Sequence, residues 1–552
     1  MKLWHSMTMS GLTVAWCLAL AGAAVGQADP AVDANGLVFE DVTARTGLPE
    51  VMKAWQAEQT DLEEKAHPGK KGSHWWWPTA LCVADLDGDG DADIVFSQHG
   101  SPGTRLFINQ RKEKGELVFE DQTKSRTLSG SFEPMIADGS TYVFDYDGDG
   151  FPDVMSMSDE GKAWAAVNDS KGKFHVRESP FRIAQAYVAD INGDGLLDVI
   201  PPLDSGNPFL NRGNGKYERA TVERPALSGG WAYCALPAGC TFPDAVTNFA
   251  SGKNAWKMCL QADLDGDGSA EILADLGDAY RAQGFCCFHK SEGGDWTDVT
   301  RSMGLPYTGR VSCVYDFNGD GALDLLMTAG PRSGIFLNDG KGRFTLSEDG
   351  LARRLSTKPS SATTVDMLAD FNEDGQPDLL TVTFRYGAQS GLFVNTGGGR
   401  FEPTGVNLRG CWQFGVCDID GDGRLDIVAG TDAGIRVLIN RTPAAGKFIN
   451  VKLKGPAENR LGVDAVVAAR AAGATGGTGK TVAQLRNNTA GISAAMSVCG
   501  IGHSAGNGLP LHLGLGATEA VDVRATFPGG KTAELNRVRP AGQTVEISAG
   551  ER

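Results

Sequence analysis

Apolar residues recur along most of the chain in short runs, each bounded by stretches rich in Gly, Asp and Asn. Tyr142-Val143-Phe144, Val311-Ser312-Cys313-Val314, Leu106-Phe107-Ile108-Asn109 and Ile335-Phe336-Leu337-Asn338 are examples. Runs of this length with turn residues on both sides predict strands, not helices. The stretches between them repeat. Asp-x-(Asp/Asn)-x-Asp-Gly-x-x-(Asp/Glu) begins at Asp85, Asp145, Asp190, Asp263, Asp316, Asp370 and Asp418, with successive starts 60, 45, 73, 53, 54 and 48 residues apart. We number these stretches loops 1 to 7.

Every loop follows one apolar run and precedes another, such as Ile94-Val95, Val154-Met155, Val199-Ile200, Ile272-Leu273, Leu325-Leu326, Leu379-Leu380 and Ile427-Val428. Each therefore joins two strands. A third run with a Gly-rich turn follows, as in Phe209-Leu210-Asn211 and Leu392-Phe393-Val394-Asn395, and a fourth closes the unit, as in Phe119–Thr123 and Trp296–Thr300. Four strands per unit and seven units predict an all-β, seven-bladed β-propeller. The last unit has three strands, through Ile435–Asn440, before the sequence changes character, while Phe39-Glu40-Asp41-Val42-Thr43 stands alone near the amino terminus as a copy of the fourth. Residues 37–43 are expected to complete unit seven and remove an open sheet edge. Phe448-Ile449-Asn450-Val451 is the rival donor.

Loop positions 1, 3, 5 and 9 carry oxygen-bearing side chains, and the glycines between them allow a tight bend. This set suits a hard cation. Calcium takes about six to eight oxygens at about 2.3–2.6 Å, whereas magnesium demands a stricter octahedron. The expected ligands are Asp85, Asp87, Asp89 and Asp93, with the carbonyl of Asp91, in loop 1; Asp145, Asp147, Asp149 and Asp153 in loop 2; and Asp190, Asn192, Asp194 and Asp198 in loop 3. Loops 4 and 5 offer Asp263, Asp265, Asp267 and Glu271, then Asp316, Asn318, Asp320 and Asp324. Asp370, Asn372, Asp374 and Asp378 follow in loop 6, and Asp418, Asp420, Asp422 and Asp426 in loop 7. An EF-hand is excluded because position 12 holds residues such as Phe96, Ser156 and Pro201 in place of a bidentate Glu. Solvated Asp-Gly turns without a metal are the plainer alternative. Seven divalent ions would bring the formal charge of -17 to about -3.

These residues resemble a known family. Asp145-Tyr-Asp-Gly-Asp-Gly-Phe-Pro-Asp153 and its sisters look like the FG-GAP/VCBS repeats of the integrin-α-type propeller, over roughly residues 37–446. The resemblance implies calcium in the loops. Loop 6 departs from it, with Glu373 where the others have Gly. Residues 447–552 carry short alternating segments such as Asn450–Leu453, Val463–Val467, Val482–Leu485 and Val521–Arg524, and predict a compact β domain. Asn459-Arg460-Leu461-Gly462-Val463, Gln484-Leu485-Arg486, His512-Leu513-Gly514-Leu515-Gly516, Val521-Asp522 and Phe527-Pro528-Gly529-Gly530 occur in the order of an ASPIC/UnbV domain. That domain is found in cartilage acidic protein and bacterial secreted proteins. The family supplies no catalytic residue to carry over.

Composition narrows the function. With 51 Lys and Arg against 68 Asp and Glu, the chain is a poor partner for nucleic acid. Met1-Lys2, the apolar stretch from Gly11 to Val25 and small residues at Ala24, Gly26 and Ala28 have the layout of a signal peptide over residues 1–28. Later segments offer no membrane span. Export places the protein in the periplasm, on the cell surface or outside the cell, where the ten cysteines left after loss of Cys17 are compatible with pairing. Cys234 with Cys240, and Cys411 with Cys417, could each close a small loop, while vicinal Cys286-Cys287 would bond elsewhere.

Trp75-Trp76-Trp77 beside a charged insert over about residues 50–73, compatible with a helix, can pack in a core or bind a partner. The insert with Trp231, Tyr233 and Trp256 is a second recognition candidate. Gly473–Thr481 lacks the spacing of a phosphate loop and reads as a hairpin turn. The sum is an exported calcium-binding propeller that acts as a non-enzymatic binding or adhesion scaffold for an extracellular protein or polysaccharide. Two alternatives stand beside it. One is a lectin-like module using the aromatic inserts; the other is a carbohydrate lyase or hydrolase using His74, His99 or His289.

Overall fold

The computed structural model describes residues 36–66, 78–98, 104–132, 140–201, 207–220, 257–275, 284–347, 364–383, 391–443, 446–473, 481–486 and 508–550, with breaks of one to three residues inside some of these, together with 31–32, 232–234 and 351. The fold is built almost wholly of strands, gathered into small sheets. Among the described residues, each acidic loop joins two adjacent strands of a separate four- or five-stranded sheet. The first of these sheets runs Pro78–Ala84, Asp93–Gln98, Arg105–Asn109 and Phe119–Asp121, all antiparallel. The second strands are the most enclosed. Asp93–Gln98 and Asp426–Thr431 are buried at every position, because both of their faces meet neighbouring sheets. The closing strands lie farther out, and Phe119–Asp121 passes from buried to exposed along its length.

The seventh sheet takes its last strand from the amino terminus. Val38–Asp41 pairs antiparallel with Gly434–Asn440, with Phe39 opposite Asn440 and Asp41 opposite Leu438. Arg441 N donates to the Val38 carbonyl at 2.7 Å, and Phe39 meets Phe371 edge to face at 5.7 Å. Lys447–Lys454, the stretch containing the rival donor, pairs instead with Leu511–Gly516 and Thr544–Ser548. Its alternating apolar residues belong to a different core.

A relay of hydrogen bonds ties neighbouring sheets at their loop ends. Asn109, the last residue of its strand, donates through Nδ2 to the carbonyl of Ala92 in its own loop at 3.2 Å and to that of Ile419 in loop 7 at 3.1 Å. Asn168 does the same to Pro152 and Leu86, Asn211 to Leu197 and Tyr146, and Asn338 to Leu323 and Leu264. Asn440 reaches Phe371 in loop 6. The bond from Asn109 to Ile419 joins the first sheet to the seventh.

A helix, Leu48–Ala66, covers that same junction. Leu48, Met52 and Trp55 recur at helical spacing and share a core with Ile435 and Val437 of the seventh sheet and Phe96 and Phe107 of the first. The helix confirms the reading of the charged insert. Trp75-Trp76-Trp77, His74 and His99 lie outside the described residues, as do the expected signal segment, the Gly-rich turn at 474–480 and most of the insert around Trp231 and Trp256.

Beyond Asn440 the chain forms two more sheets, Leu511–Gly516, Lys447–Lys454 and Thr544–Ser548 in one, and Thr481–Arg486, Val466–Ala471, Val521–Thr526 and Thr532–Val538 in the other. Ile449, Val451, Leu513, Val467 and Val523 pack in one core that both sheets share. No helix among the described residues is long and apolar enough to cross a membrane.

The cysteine expectations need correction. Cys411 and Cys417 are free and buried at opposite ends of one extended strand, Cys411–Cys417. At about 3.3 Å per residue the two ends stand far beyond the reach of a disulfide. Cys286 and Cys287 are also free and buried. Cys240 lies outside the described residues.

Two substitutions probe the seam. Phe39→Ala should destabilise the protein by about 3–5 kcal/mol, as for other buried aromatics. Asn109→Ala should cost about 1–3 kcal/mol by leaving two carbonyls without donors. Urea unfolding of both, with exposed Glu113→Ala as a control expected to change stability by less than about 0.5 kcal/mol, tests this.

Candidate metal loops

Among the described residues, loops 1, 2, 4 and 7 bring carboxylate oxygens together, and a backbone winding common to all seven explains how. In all seven, the amide of position 5 donates to the side chain of position 3, and the amide of position 7 donates to the side chain of position 5. These are successive Asx turns. Position 1 adds a third tie where described: Asp145 accepts from Gly148 and Gly150, Asp263 from Gly266 and Gly268, and Asp316 from Gly319 and Gly321. Such winding requires positive φ at position 6, where every loop has Gly with φ between 89° and 95°.

Loop 6 shows what the departure from Gly costs. Glu373 takes the position-4 conformation with φ 65°, so the loop keeps its shape at a strain of roughly 1–2 kcal/mol for a side chain there. Its carboxylate is buried, and neither oxygen has a hydrogen-bond partner; Arg424 approaches to 3.8 Å.

Position 9 has a structural task besides any metal contact. Asp93 accepts the amide of Leu86 through one oxygen and that of Asn109 through the other, at 3.0 and 2.8 Å. Asp153, Asp324, Asp378 and Asp426 each bind the equivalent pair of amides. These carboxylates are fully buried or nearly so. Burial drives the pKa of Asp93, Asp153, Asp378 and Asp426 well above the usual carboxylate range.

Four of the position-1 carboxylates are pushed up as well, chiefly by burial: Asp85 and Asp418 to about 6, Asp145 to about 7 and Asp370 to about 8. Asp85 Oδ1, Asp89 Oδ2 and Asp418 Oδ1 are buried and meet no hydrogen-bond donor. Oxygens in that condition fit a cation. Carboxylate oxygens of Asp85, Asp87 and Asp89 lie within 4.8 Å of one another, as do those of Asp145, Asp147 and Asp153, of Asp263, Asp265 and Asp267, and of Asp418, Asp420 and Asp426.

Basic groups that spacing alone does not reveal stand at these clusters, among them Lys112, 3.6 Å from Asp91. Arg126 meets Asp87 at 2.7 Å, Arg111 pairs with Asp91, and Arg441 contacts Asp420 and Asp422. His289, a candidate catalytic histidine from sequence, lies on strand Phe285–Lys290 with Nδ1 2.7 Å from Glu271 and 3.7 Å from Asp265. Asp190 lies outside the described residues, while Asn192 and Asp194 are exposed. The third-strand asparagines were visible in sequence as a recurring terminal residue, but their bond to the preceding unit was not.

The family description "FG-GAP-like repeat" matches residues 145–200, 316–381 and 370–429. No curated protein matches the chain. Among solved structures, an exotype rhamnogalacturonan lyase is similar at 12% identity and TM-score 0.36, over 66% of this chain and 72% of that one. A Bacillus licheniformis rhamnogalacturonan lyase aligns at 11% identity and TM-score 0.33 over 66% and 71%. A streptogramin B lyase aligns at 11% and 0.34 over 67% and 96%. The chain carries FG-GAP-like repeats, and five of its acidic loops, those at Asp145, Asp190, Asp316, Asp370 and Asp418, open within a matched segment.

Proposed function

We propose that the protein is an exported, calcium-stabilised seven-bladed propeller, over residues 37–446, followed by an ASPIC/UnbV-like β domain over 447–552, and that it serves as a non-enzymatic binding or adhesion scaffold. The observation carrying this reading is the set of buried loop oxygens without donors, at Asp85, Asp89 and Asp418, inside clusters of converging carboxylates. Three to five acidic groups gathered in one loop repel one another unless a cation offsets them, and oxygen-only ligands favour calcium over softer ions. Calcium would be held by positions 1, 3 and 5, with position 9 contributing while it keeps its two backbone amides. The ion binds the folded loop and not the unfolded chain, so it stabilises the blades by mass action. A rigid ring of sheets then presents its surface to an extracellular protein or polysaccharide.

His289 sits among the acidic side chains of loop 4, which supports a role as a local counter-charge. Its pKa is raised, first by the hydrogen bond to Glu271.

Metal analysis of purified protein should find about seven calcium ions per chain, and stripping them should lower Tm. Each site occupied at about a hundred times its Kd contributes about 2.7 kcal/mol. An unchanged Tm after verified depletion would overturn the stabilising role. Pull-down from extracellular matrix, with and without calcium, tests the scaffold role: material retained only with calcium supports it.

A pH dependence follows for the metal-free chain. Asp85, Asp145, Asp370 and Asp418 have folded-state pKa values of about 6, 7, 8 and 6 against an ordinary 3.8, so the folded form binds more protons than the unfolded form between these limits. Their favourable contribution is complete below the ordinary value and is lost as pH rises through about 6 to 8. Thermal melts in EGTA should therefore show this contribution fading from pH 5 to pH 8, and calcium should flatten the decline. A melt series with the same slope in calcium and in EGTA would contradict the assignment.

A further inference from the structure

The two C-terminal sheets rest on the acidic loops of one arc. Over loop 2, Arg460 donates through a guanidinium nitrogen to the carbonyl of Asp149 at 2.8 Å and lies against Gly150. At loop 7, Phe448 packs on Gly423 and Asn450 Nδ2 reaches the Gly423 carbonyl at 3.5 Å. Loop 6 is approached most closely. A β-carbon at Gly514 would collide with the Asp370 carboxylate, one at Gly516 with the Asp374 carbonyl, and one at Gly446 with the Glu373 carbonyl. Gly508 stands beside Asp85 of loop 1, and Leu509 is buried in the core that holds Ile419 of loop 7 and Val83 and Ala92 of the first sheet. Val463 is likewise buried beside Tyr146 of loop 2.

These four loops are neighbours. The asparagine relay links loop 6 to loop 7 through Asn440, loop 7 to loop 1 through Asn109, and loop 1 to loop 2 through Asn168. At position 1 burial follows the closest cover: Asp85, Asp145 and Asp370 are 6%, 7% and 9% exposed, whereas Asp418 of loop 7 and Asp316 of loop 5 are half-buried and Asp263 of loop 4 is open to solvent.

Building on the calcium reading, we propose that the C-terminal β unit is a cap that seals loops 6, 7, 1 and 2, dividing the cation sites into four enclosed and three open ones. An ion beneath the cap leaves only when the cap lifts, so exchange there is limited by a local opening whose free energy lies between zero and that of global unfolding. The coupling runs both ways. Cations that hold the loops in shape preserve the surface on which Gly446, Gly514 and Gly516 fit, and the fitted cap retains the cations.

Stopped-flow mixing of the calcium-loaded full chain with excess chelator and an optical calcium indicator tests this. The expected release is biphasic, with fast and slow amplitudes near three to four and the slow phase at least roughly tenfold slower. Gly514→Ala, which sets a methyl against loop 6, should accelerate the slow phase by about tenfold or more while leaving the number of bound ions at pH 8 close to wild type. Arg460→Ala, which loosens the cap over loop 2 without entering either core, is the companion should Gly514→Ala fail to fold, and should speed part of the slow amplitude. A single release phase from a fully loaded chain, or a slow phase unchanged in the folded variants, overturns the cap and leaves the calcium reading intact. Absence of bound calcium in elemental analysis overturns the calcium reading, and the cap with it.

Discussion

The buried carboxylate at position 9 is the constraint on which the rest of the structure depends. Asp93, at the start of the second strand, joins the amide of Leu86 in the loop to that of Asn109 at the end of the third strand, so the loop, the strand after it and the third strand are fixed by one side chain. The carbonyl of Leu86, whose amide binds Asp93, in turn accepts from Asn168, whose own amide binds Asp153 in the next unit. Followed around the sheets, the relay passes from Asp378 through Asp426, Asp93 and Asp153 to Asp198 without leaving hydrogen-bonding distance. A buried acceptor that loses such donors costs about 1–3 kcal/mol, more if it is charged. One carboxylate per unit therefore specifies both the fold of its own loop and its contact with the neighbour.

This arrangement explains the acidity of the chain without reference to a partner. Position 9 must be acidic to take two amides, and the Asx turns need Asp or Asn at positions 3 and 5, so each loop gathers charge as a by-product of its winding. The resulting repulsion is offset in part by protein cations. Arg126 at Asp87 and Arg441 at Asp420 occupy the rim, while the buried oxygens of Asp85 and Asp418 still lack a donor. The unsatisfied positions lie at the loop centres and the basic side chains at the edges, which is the distribution expected if a small ion takes the middle.

Much of this was legible in the sequence because it is periodic. The strand on either side of each loop, the isolated fourth-strand copy at Phe39 and the converging carboxylates of loops 1, 2, 4 and 7 all follow from residue type and spacing. Asn109, Asn168 and Asn440 were visible as strand ends, but an asparagine before a Gly-rich turn reads as a turn residue, and nothing local marks its bond to a loop some 70 or more residues away in sequence, such as that from Asn440 to Phe371. The free cysteines illustrate the opposite error. Cys411 and Cys417 look like a small closed loop only if the six-residue spacing is coiled, and the alternating apolar residues between them extend it instead. The position of the C-terminal sheets was illegible for a similar reason: their own pattern specifies their shared core, while Gly514 and Gly516 are small because of a surface elsewhere in the chain.

The two loops that depart from the common pattern depart in different directions, and the difference follows from their surroundings. Loop 6 lies beneath the C-terminal sheets, where Glu373 accepts a left-handed backbone and a buried carboxylate facing Arg424 of the neighbouring unit. Strain there is sustained because packing on both sides over-determines the backbone. Loop 4 is open to solvent, and its longer Glu271 reaches His289, on a strand position where the equivalent residue of the following unit is Leu337. An exposed loop has no cover to hold its shape, so a side-chain partner substitutes for packing. The repeat therefore keeps a carboxylate at position 9 and Asp or Asn in the Asx turns throughout, and varies in side-chain length and backbone strain where its neighbours can compensate.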